Sequence, residues 1–199
     1  MRAVLKVGGS LISVALDLVR TLVEANVDCL IVPGGGPFAD AVRLYRNVLN
    51  DTTAHWMAIL AMNQYGWFLS AAGARITTTI DVDISGVSVL LPFDEVFAND
   101  PLPHSWDVTS DSIAAWIAHR LSADLVVATN VDGIFIDGHF LAAMNARAII
   151  GQTCIDAFCP SLLELYGMKC VVVNGSYYDR LLDALNGVPT IGTTIHGRE

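Results

Sequence analysis

Two short apolar runs, each ending in a glycine-rich turn, constrain the fold of this chain most strongly. Ala3–Val7 is followed at once by Gly8-Gly9-Ser10, and the run that ends at Val32 is followed after one proline by Gly34-Gly35-Gly36. A short continuous apolar run is typical of a strand that is buried on both faces. Such strands need helices on each side of the sheet, so the pattern predicts parallel strands joined by helices.

The rest of the chain repeats this alternation of strand and helix. Helices are predicted over 14–25, 37–49, 52–72, 110–121, 155–166 and 176–186, and strands over 3–7, 28–32, 76–80, 87–91, 124–128, 169–173 and 190–195. Asp137-Gly138 predicts a hairpin between two short β-rich runs, whereas 92–107, with three prolines, is predicted to be irregular. The expected fold class is therefore α/β with a parallel sheet, and the length predicts one domain over 1–199.

Composition excludes several classes of function. The net charge of −9 argues against nucleic-acid binding, because nucleic-acid-binding proteins usually present a basic face. The longest apolar segment, Trp56 to Ala72, contains Asn63, Gln64 and Gly66, which indicates a buried helix and no membrane span. None of the four cysteines has the spacing of a redox or zinc motif, so we expect reduced thiols and a cytoplasmic location.

The first glycine turn has the composition of a phosphate site. Lys6, one of only two lysines in the chain, precedes Gly8, Gly9 and Ser10. Glycine lets the backbone approach a phosphate closely, and the N-terminus of the helix that follows offers free N–H groups. The structural alternative is a tight turn beside a solvated lysine.

The second turn, Gly34-Gly35-Gly36, lies directly after the next strand and begins another helix. Consecutive glycines cost backbone entropy unless close approach or a positive φ is needed. The alternative is a strained connection between strand and helix. Because ligands bind at the carboxyl ends of parallel strands, both turns are expected at one edge of the sheet.

Two further segments carry polar residues next to predicted strand or helix ends. Asp111 falls in the first turn of a predicted helix, where it either stabilises the helix dipole or holds Lys6 or a metal-linked water. Thr129-Asn130-Val131-Asp132-Gly133-Ile134-Phe135 is either an ordinary Asp-Gly turn or the edge of a nucleotide pocket, with Phe135 packing on the base.

In this order the segments resemble the amino acid kinase family: a lysine–glycine–glycine–serine turn, a triple-glycine turn, the helix start Ser110-Asp111-Ser112-Ile113-Ala114 and a Val-Asp-Gly-aromatic loop. The resemblance spans residues 4 to about 195. It implies a three-layer α/β/α sandwich around a mostly parallel sheet. It also implies phosphoryl transfer from ATP, with Mg²⁺ held chiefly by phosphate oxygens and no dedicated protein metal site.

The resemblance implies a role for each matching residue. Lys6 and Asp111 would be the catalytic pair, with Asp111 organising the lysine. The ATP site would comprise Gly8, Gly9, Ser10, Thr129, Asn130, Asp132, Gly133, Phe135, Asn174 and Gly175. The acceptor site would comprise Gly34, Gly35, Gly36 and Asp107. The helix over 52–72 resembles the helix through which family members form homo-oligomers, either dimers or hexamers.

The chain departs from many family members at Gly151-Gln152-Thr153-Cys154-Ile155-Asp156, where a second phosphate-binding lysine is usual. Its short length and its helix containing His55-Trp56 are similar to a small archaeal branch whose acceptor is an aminomethylfuran phosphate monoester. An ammonium-bearing acceptor suits an acidic chain. Candidate partners for the amine are Asp40, Asp81, Asp83 and Asp107, of which Asp107 is expected to face the acceptor.

Two other functions stay open from the residues alone. One is a nucleoside monophosphate kinase of the uridylate type, and the other is a protein of the same fold that binds ATP or oxyanions without turnover. Because Lys6 and Asp111 are both retained, phosphoryl transfer to a small phosphate monoester is the preferred interpretation.

Overall fold

The centre of the molecule is an eight-stranded sheet in the order β3-β4-β2-β1-β5-β9-β10-β8. A computed structural model describes residues 3–81 and 84–198. All neighbouring strands are parallel except β9 and β10, which are antiparallel. A separate hairpin pairs β6 with β7. The strands are β1 (Ala3–Val7), β2 (Cys29–Pro33), β3 (Arg75–Thr77), β4 (Val87–Leu90), β5 (Asp124–Thr129), β6 (Ile134–Ile136), β7 (His139–Leu141), β8 (Ala143–Asn145), β9 (Lys169–Asn174) and β10 (Thr193–His196).

Helices cover both faces of this sheet. Alternate residues of one strand point to opposite faces, so Val4 joins one apolar cluster and Leu5 the other. The first cluster includes residues of α5 and α6, and the second includes residues of α1 and α7. The expected three-layer α/β/α arrangement with a mostly parallel sheet is confirmed. The helices are α1 (Ala15–Glu24), α2 (Gly36–Arg43), α3 (Asp51–Ser70), α4 (Phe93–Asn99), α5 (Ser110–Leu121), α6 (Cys159–Tyr166) and α7 (Tyr178–Leu185).

The long helix α3 is apolar on nearly all sides. It contributes Ile59 and Met62 to the first cluster and Tyr65 and Leu69 to the second. Asn50 caps it by accepting a hydrogen bond from the Thr53 amide at 2.8 Å. Within residues 3–81 and 84–198, no helix combines the length and apolarity needed to cross a lipid bilayer.

Several element boundaries differ from the sequence-based prediction, among them the strands predicted over 76–80 and 190–195, which are Arg75–Thr77 and Thr193–His196 in the structure. The proline-rich segment contains a helix, α4, which starts directly after Pro92 and carries two acidic residues in its first turn. Helix α2 ends at Arg43 and gives way to turns. Helix α6 begins at Cys159 and not at residue 155, because the Asp156 carboxylate accepts hydrogen bonds from the amides of Phe158 and Cys159, and Pro160 lies in the first turn of the helix.

Candidate active site

Four strand ends meet at one edge of the sheet, because β2, β1, β5 and β9 are neighbours and parallel. The turns after these strands are therefore side by side, as predicted from the parallel topology. Lys6 is in register with Val32 on one side and with Val127 on the other, and Thr129 is in register with Asn174. The backbone amide of Gly8 donates to the carbonyl of Ala128 at 3.0 Å, which ties the first turn to β5.

The two glycine turns contact each other through their backbones. The amide of Gly34 donates to the carbonyl of Val7 at 2.8 Å. A Cβ added at Gly9 would lie 2.4 Å from the Cα of Gly36, and Gly36 itself has a φ of +51°. A side chain at Gly9 would force the turns apart, and one at Gly36 would strain its backbone. This close approach explains why glycine is used in both turns.

Tyr65 of α3 packs against both glycine turns. Its side chain is fully buried, and its hydroxyl donates to the carbonyl of Gly8 at 3.4 Å. Its ring also lies 3.9 Å from where a Cβ of Gly36 would be. Burial raises the pKa of Tyr65, so the hydroxyl keeps its proton. No sequence pattern marked Tyr65 as a site residue, because a tyrosine in an apolar helix looks like any other core residue.

Lys6 and Asp111 form a buried ion pair at the centre of this edge. The Lys6 Nζ lies 2.8 Å from the Asp111 Oδ1, and the two residues are 7% and 4% exposed. Burial raises the pKa of Asp111 above its ordinary value, and the charge of Lys6 opposes this effect. The contact that the sequence suggested is therefore present, and Asp111 is more than a residue that stabilises the helix dipole.

Asp156 organises the start of α5 and had no predicted role. Its carboxylate accepts hydrogen bonds from the amide and hydroxyl of Thr109, both at 2.9 Å, and from the amide and hydroxyl of Ser112, at 3.0 and 2.6 Å. It also accepts from the amides of Phe158 and Cys159, at 3.2 and 2.8 Å.

The backbone of Asp156 reaches the ion pair directly, since its own amide donates to the Asp111 Oδ2 at 3.1 Å. Asp156 is only 3% exposed. Asp156 ends the stretch 151–156, which lacks the second lysine that the family resemblance implies, and no local sequence pattern marked it as a site residue. It holds the helix that carries Asp111 in place.

A cavity of about 620 Å³ opens above the glycine turns and the ion pair. It is bounded by the two turns, by one face of α3 and by the segment that precedes α5. Eight of the predicted site residues line it: Lys6, Gly8, Gly9, Ser10, Gly35, Gly36, Thr129 and Asn130. Lining residues that were not predicted as site residues include Arg43, Asp51, His55, Trp106, Gln152 and Cys154.

Other predicted residues lie behind or beside the cavity. Gly34 and Asp111 do not line the cavity. Asp107 is exposed and does not line it either. Of the candidate partners for an amine, Asp40 lines the cavity but pairs with Arg43. Asp81 does not line it, and Asp83 lies outside the described residues.

The predicted nucleotide loop forms a second polar group next to the cavity. The Asp132 Oδ1 accepts hydrogen bonds from the Asn174 Nδ2 at 3.0 Å and from Arg180 at 2.9 Å. Arg180, which was not predicted, also stacks on the ring of Tyr177 at 4.0 Å. These contacts fix the loop after β5 against the loop after β9.

Three further predicted residues lie in this loop or next to it. Gly133 has a φ of +144°, and a Cβ there would lie 2.4 Å from the Thr193 hydroxyl oxygen. Gly175 is buried, and a Cβ there would lie 2.6 Å from a methyl group of Leu11. Phe135 is 50% exposed on the β6–β7 hairpin, where its side chain is available for contact.

Comparison with known proteins agrees with this geometry. The chain is 34% identical to the [5-(aminomethyl)furan-3-yl]methyl phosphate kinase of Methanocaldococcus jannaschii, over 98% of this chain and 97% of that kinase. It is 23% identical to a uridylate kinase of Methanococcus aeolicus, over 87% of this chain and 84% of that enzyme.

The crystal structure of uridylate kinase from Archaeoglobus fulgidus superposes with a TM-score of 0.72 at 21% identity, covering 98% of this chain and 100% of that one. At this identity the superposition demonstrates a shared fold. A model of the amino acid kinase family matches residues 1–174. Together with the 34% identity over nearly the whole length, this match establishes that the chain belongs to the amino acid kinase family.

Proposed function

We propose that this chain transfers the γ-phosphoryl group of ATP to a phosphate monoester, with (5-(aminomethyl)furan-3-yl)methyl phosphate as the acceptor. The observation that carries the proposal is the buried lysine, Lys6, held by Asp111 at the junction of two contacting glycine turns. Such a junction brings two anionic groups together beside one positive charge. The 34% identity to a kinase named for this acceptor supports the choice of substrate.

In the proposed reaction, an acceptor phosphate oxygen attacks the γ-phosphorus in line, and the bond to the β-phosphate oxygen breaks. The products are ADP and the diphosphate of the acceptor. The acceptor phosphate is already ionised, so the reaction needs no general base, and catalysis depends on positioning and charge neutralisation. Lys6 would stabilise the transferring group, and Asp111 would position Lys6.

The two turns would divide the substrates between them. Gly8, Gly9 and Ser10 would hold the phosphates of ATP. Gly9 and Ser10 would donate backbone N–H groups, since the first turn of a helix leaves these without internal partners, and Gly8, whose amide donates to Ala128, would let the phosphates approach the turn closely. In the second turn, Gly35 and Gly36 would hold the acceptor phosphate in the same way, and Gly34, whose amide donates to Val7, would position the turn. Their backbone contact would keep donor and acceptor phosphates close together.

The nucleoside would lie on the side of β5 and β9. Thr129 and Asn130 line the cavity, and the group formed by Asp132 and Asn174 lies next to them. Gly133 and Gly175 let the surrounding loops pack closely, and Phe135 would stack on the base. Arg180, held against Asp132, is a further cation on this side.

Mg²⁺ fits a site whose ligands are mainly phosphate oxygens. Within residues 3–81 and 84–198, no three His, Cys, Asp or Glu side chains are grouped as a metal site would require. Mg²⁺ often keeps several waters and binds through substrate phosphates. When bound, it would neutralise charge on the phosphates, alongside Lys6.

A uridylate-type kinase is the second candidate, because uridylate kinases share both sequence similarity and the fold. The decisive experiment measures ATP-dependent ADP release with a panel of acceptors: the aminomethylfuran phosphate, UMP, AMP, isopentenyl phosphate and acetylglutamate. We expect the aminomethylfuran phosphate to give the highest kcat/KM. Preferential turnover of UMP would replace the proposal with the second candidate, and ATP binding without any turnover would indicate a non-catalytic protein.

We also propose that the enzyme is a homo-oligomer assembled through α3. Met57, Leu60 and Trp67 are exposed on one side of this helix. They follow helical spacing, and exposed apolar patches of this kind mark protein interfaces. Leu44 and Val48, 82% and 79% exposed, add further apolar surface from the segment before α3.

Replacing Leu60 with glutamate is expected to shift the protein to monomers in sedimentation velocity experiments, because a charge would be buried in the interface. Leu165→Glu is a matched control, since Leu165 is exposed on α6, away from α3. An unchanged sedimentation coefficient for Leu60→Glu would remove α3 from the interface.

We further propose that the enzyme is a single domain over 1–199 and that it acts in the cytoplasm. Strands from residue 3 to residue 196 enter the same sheet, which supports a single domain. All four cysteines are free, and burial raises the pKa of Cys29 to about 12. Free, unreactive thiols of this kind suit a reducing compartment.

A further inference from the structure

One face of α3 forms the wall of the cavity that leads away from the glycine turns. Residues at positions 51, 54, 55, 58, 59 and 62 all line the cavity, which is the spacing of a single helix face. Tyr65, three residues beyond Met62, contacts the glycine turns. At 1.5 Å per residue, His55 lies about 10 Å and Asp51 about 16 Å along the helix from Met62. A phosphate monoester bound at the turns would extend its other end toward these two residues.

Asp51 is a carboxylate that lines the cavity at this end. Asp40 also lines the cavity, but it forms an ion pair with Arg43. Within the part of the chain that the structure describes, Asp51 forms no ion pair. Trp106 lines the same cavity, and the guanidinium of Arg46 lies 5.7 Å from the centre of its ring. Since Arg46 already lies against this ring, the group at this end that can bind a further cation is the carboxylate of Asp51.

His55 provides a second, independent indication of a ligand. It is only 8% exposed, and its Nε2 is buried with no hydrogen-bond partner among the described protein atoms. A buried polar atom without a partner costs free energy, which a ligand that supplies the hydrogen bond would recover.

The imidazole of His55 is neutral and held in a fixed orientation. Burial and, to a smaller extent, the neighbouring His104 lower the pKa of His55 to about 4, whereas Asp100 acts in the opposite direction. His104 stacks on it with ring centres 4.3 Å apart and is itself held by Thr52 at 3.0 Å and Asp100 at 2.9 Å. A neutral imidazole can accept a hydrogen bond from an ammonium group and does not repel it.

We infer that Asp51 and His55, one turn apart on α3, form the subsite that binds the ammonium group of the acceptor. This inference rests on the proposed function. Asp51 would supply the opposite charge at the cavity mouth, and His55 would accept a hydrogen bond deeper inside. The pair would distinguish an aminomethyl-bearing acceptor from one of the same shape that lacks the amine.

The alternative for Asp51 is purely structural, because an aspartate in the first turn stabilises the helix dipole. Asp94 of α4 offers a matched control, since it is also exposed in a first turn but does not line the cavity. If Asp51 served only the helix, Asp51→Asn and Asp94→Asn would have similar effects on thermal stability and neither would change the choice of acceptor.

The test compares kcat/KM for the aminomethylfuran phosphate with that for its 5-methyl analogue, which lacks the amine. We expect the wild type to prefer the amine-bearing acceptor. Asp51→Asn should lower kcat/KM for that acceptor by about 10–100-fold, the range for a lost hydrogen bond to a charged group. The same variant should leave the 5-methyl analogue and the KM for ATP nearly unchanged. His55→Phe should reduce the preference in the same direction, by about 10-fold.

Each outcome separates this inference from the proposed function. If the wild type turns over the amine-bearing acceptor and Asp51→Asn keeps the full preference, the subsite is wrong while the function stands. If the wild type does not turn over this acceptor, both the proposed function and the proposed subsite are wrong. Calorimetric binding of the two acceptors to Asp51→Asn and His55→Phe gives a second readout that does not depend on turnover, and equal losses for both acceptors would also overturn the inference.

Discussion

Lys6→Met is expected to lower kcat by at least about 100-fold, because removing a single group that stabilises charge in a transition state typically costs that much. The lysine is the charged side chain at the junction of the two glycine turns, and methionine preserves most of its length without the charge. Steady-state ADP release under saturating ATP and acceptor measures the effect. A rate close to that of the wild type would contradict the role assigned to Lys6.

The buried ion pair means that Lys6→Met should also affect stability. Removing one partner of a buried pair typically costs about 3–5 kcal/mol, because the other charge is left uncompensated. Burial already raises the pKa of Asp111, and loss of Lys6 would raise it further. A carboxylate with a raised folded-state pKa contributes stability at low pH and loses it as the pH rises through that pKa. The variant should therefore be closest to wild-type stability in acid.

The double variant Lys6→Met/Asp111→Asn separates catalysis from folding. Asparagine can still accept the hydrogen bond from the Asp156 amide, which is 3.1 Å from the Asp111 Oδ2 in the wild type. We expect the double variant to regain much of the lost free energy of unfolding in urea titrations, while its turnover stays as low as that of Lys6→Met. Recovery of turnover together with stability would mean that Lys6 acts only in folding.

Asp156→Ala is expected to lower the free energy of unfolding by about 3–5 kcal/mol, since several buried donors would lose a charged acceptor at once. The donors come from Thr109, Ser112, Phe158 and Cys159, so the start of α5 and the start of α6 would both loosen. Turnover should fall as well, because Asp111 lies in the first turn of α5. Urea titration and ADP release measure the two effects.

Asp107→Ala is the control for stability, because Asp107 precedes the same helix but is exposed. Its free energy of unfolding should stay within about 0.5 kcal/mol of the wild type. If Asp156→Ala were no more destabilising than this control, the carboxylate of Asp156 would not be the group that holds α5 in place.

The parts of the site that could be predicted from the sequence are those that depend on local backbone requirements. Glycines directly after an apolar strand indicate a turn whose backbone closely approaches a ligand or another part of the chain. The two turns meet this expectation, because the backbones of Gly9 and Gly36 are in contact. Parallel strands then place such turns at one edge. The order of motifs was enough to identify the family and the three-layer fold, both of which are confirmed.

Two helices differ from the prediction for different reasons. The proline-rich segment reads as irregular, although Pro92 is compatible with a position just before a helix. The helix predicted from residue 155 begins only at Cys159, because the Asp156 carboxylate accepts hydrogen bonds from the amides of Phe158 and Cys159, and these bonds compete with helix formation at that point. Short-range patterns could not reveal an acceptor whose other donors lie more than forty residues away in sequence.

By itself, the sequence determined the alternation of strands and helices and the two glycine turns, because each follows from local chemistry and parallel topology. It offered the pairing of Lys6 with Asp111 only as one of several alternatives. Only the tertiary structure decided which side chains surround these groups. It brought the Tyr65 hydroxyl to the first glycine turn and the Asp156 amide to the ion pair. It also placed His55 in the lining of the cavity, whereas Asp107 does not line it. These positions depend on how α3 and α5 pack against the sheet, and packing between distant segments leaves no periodic signal in the chain.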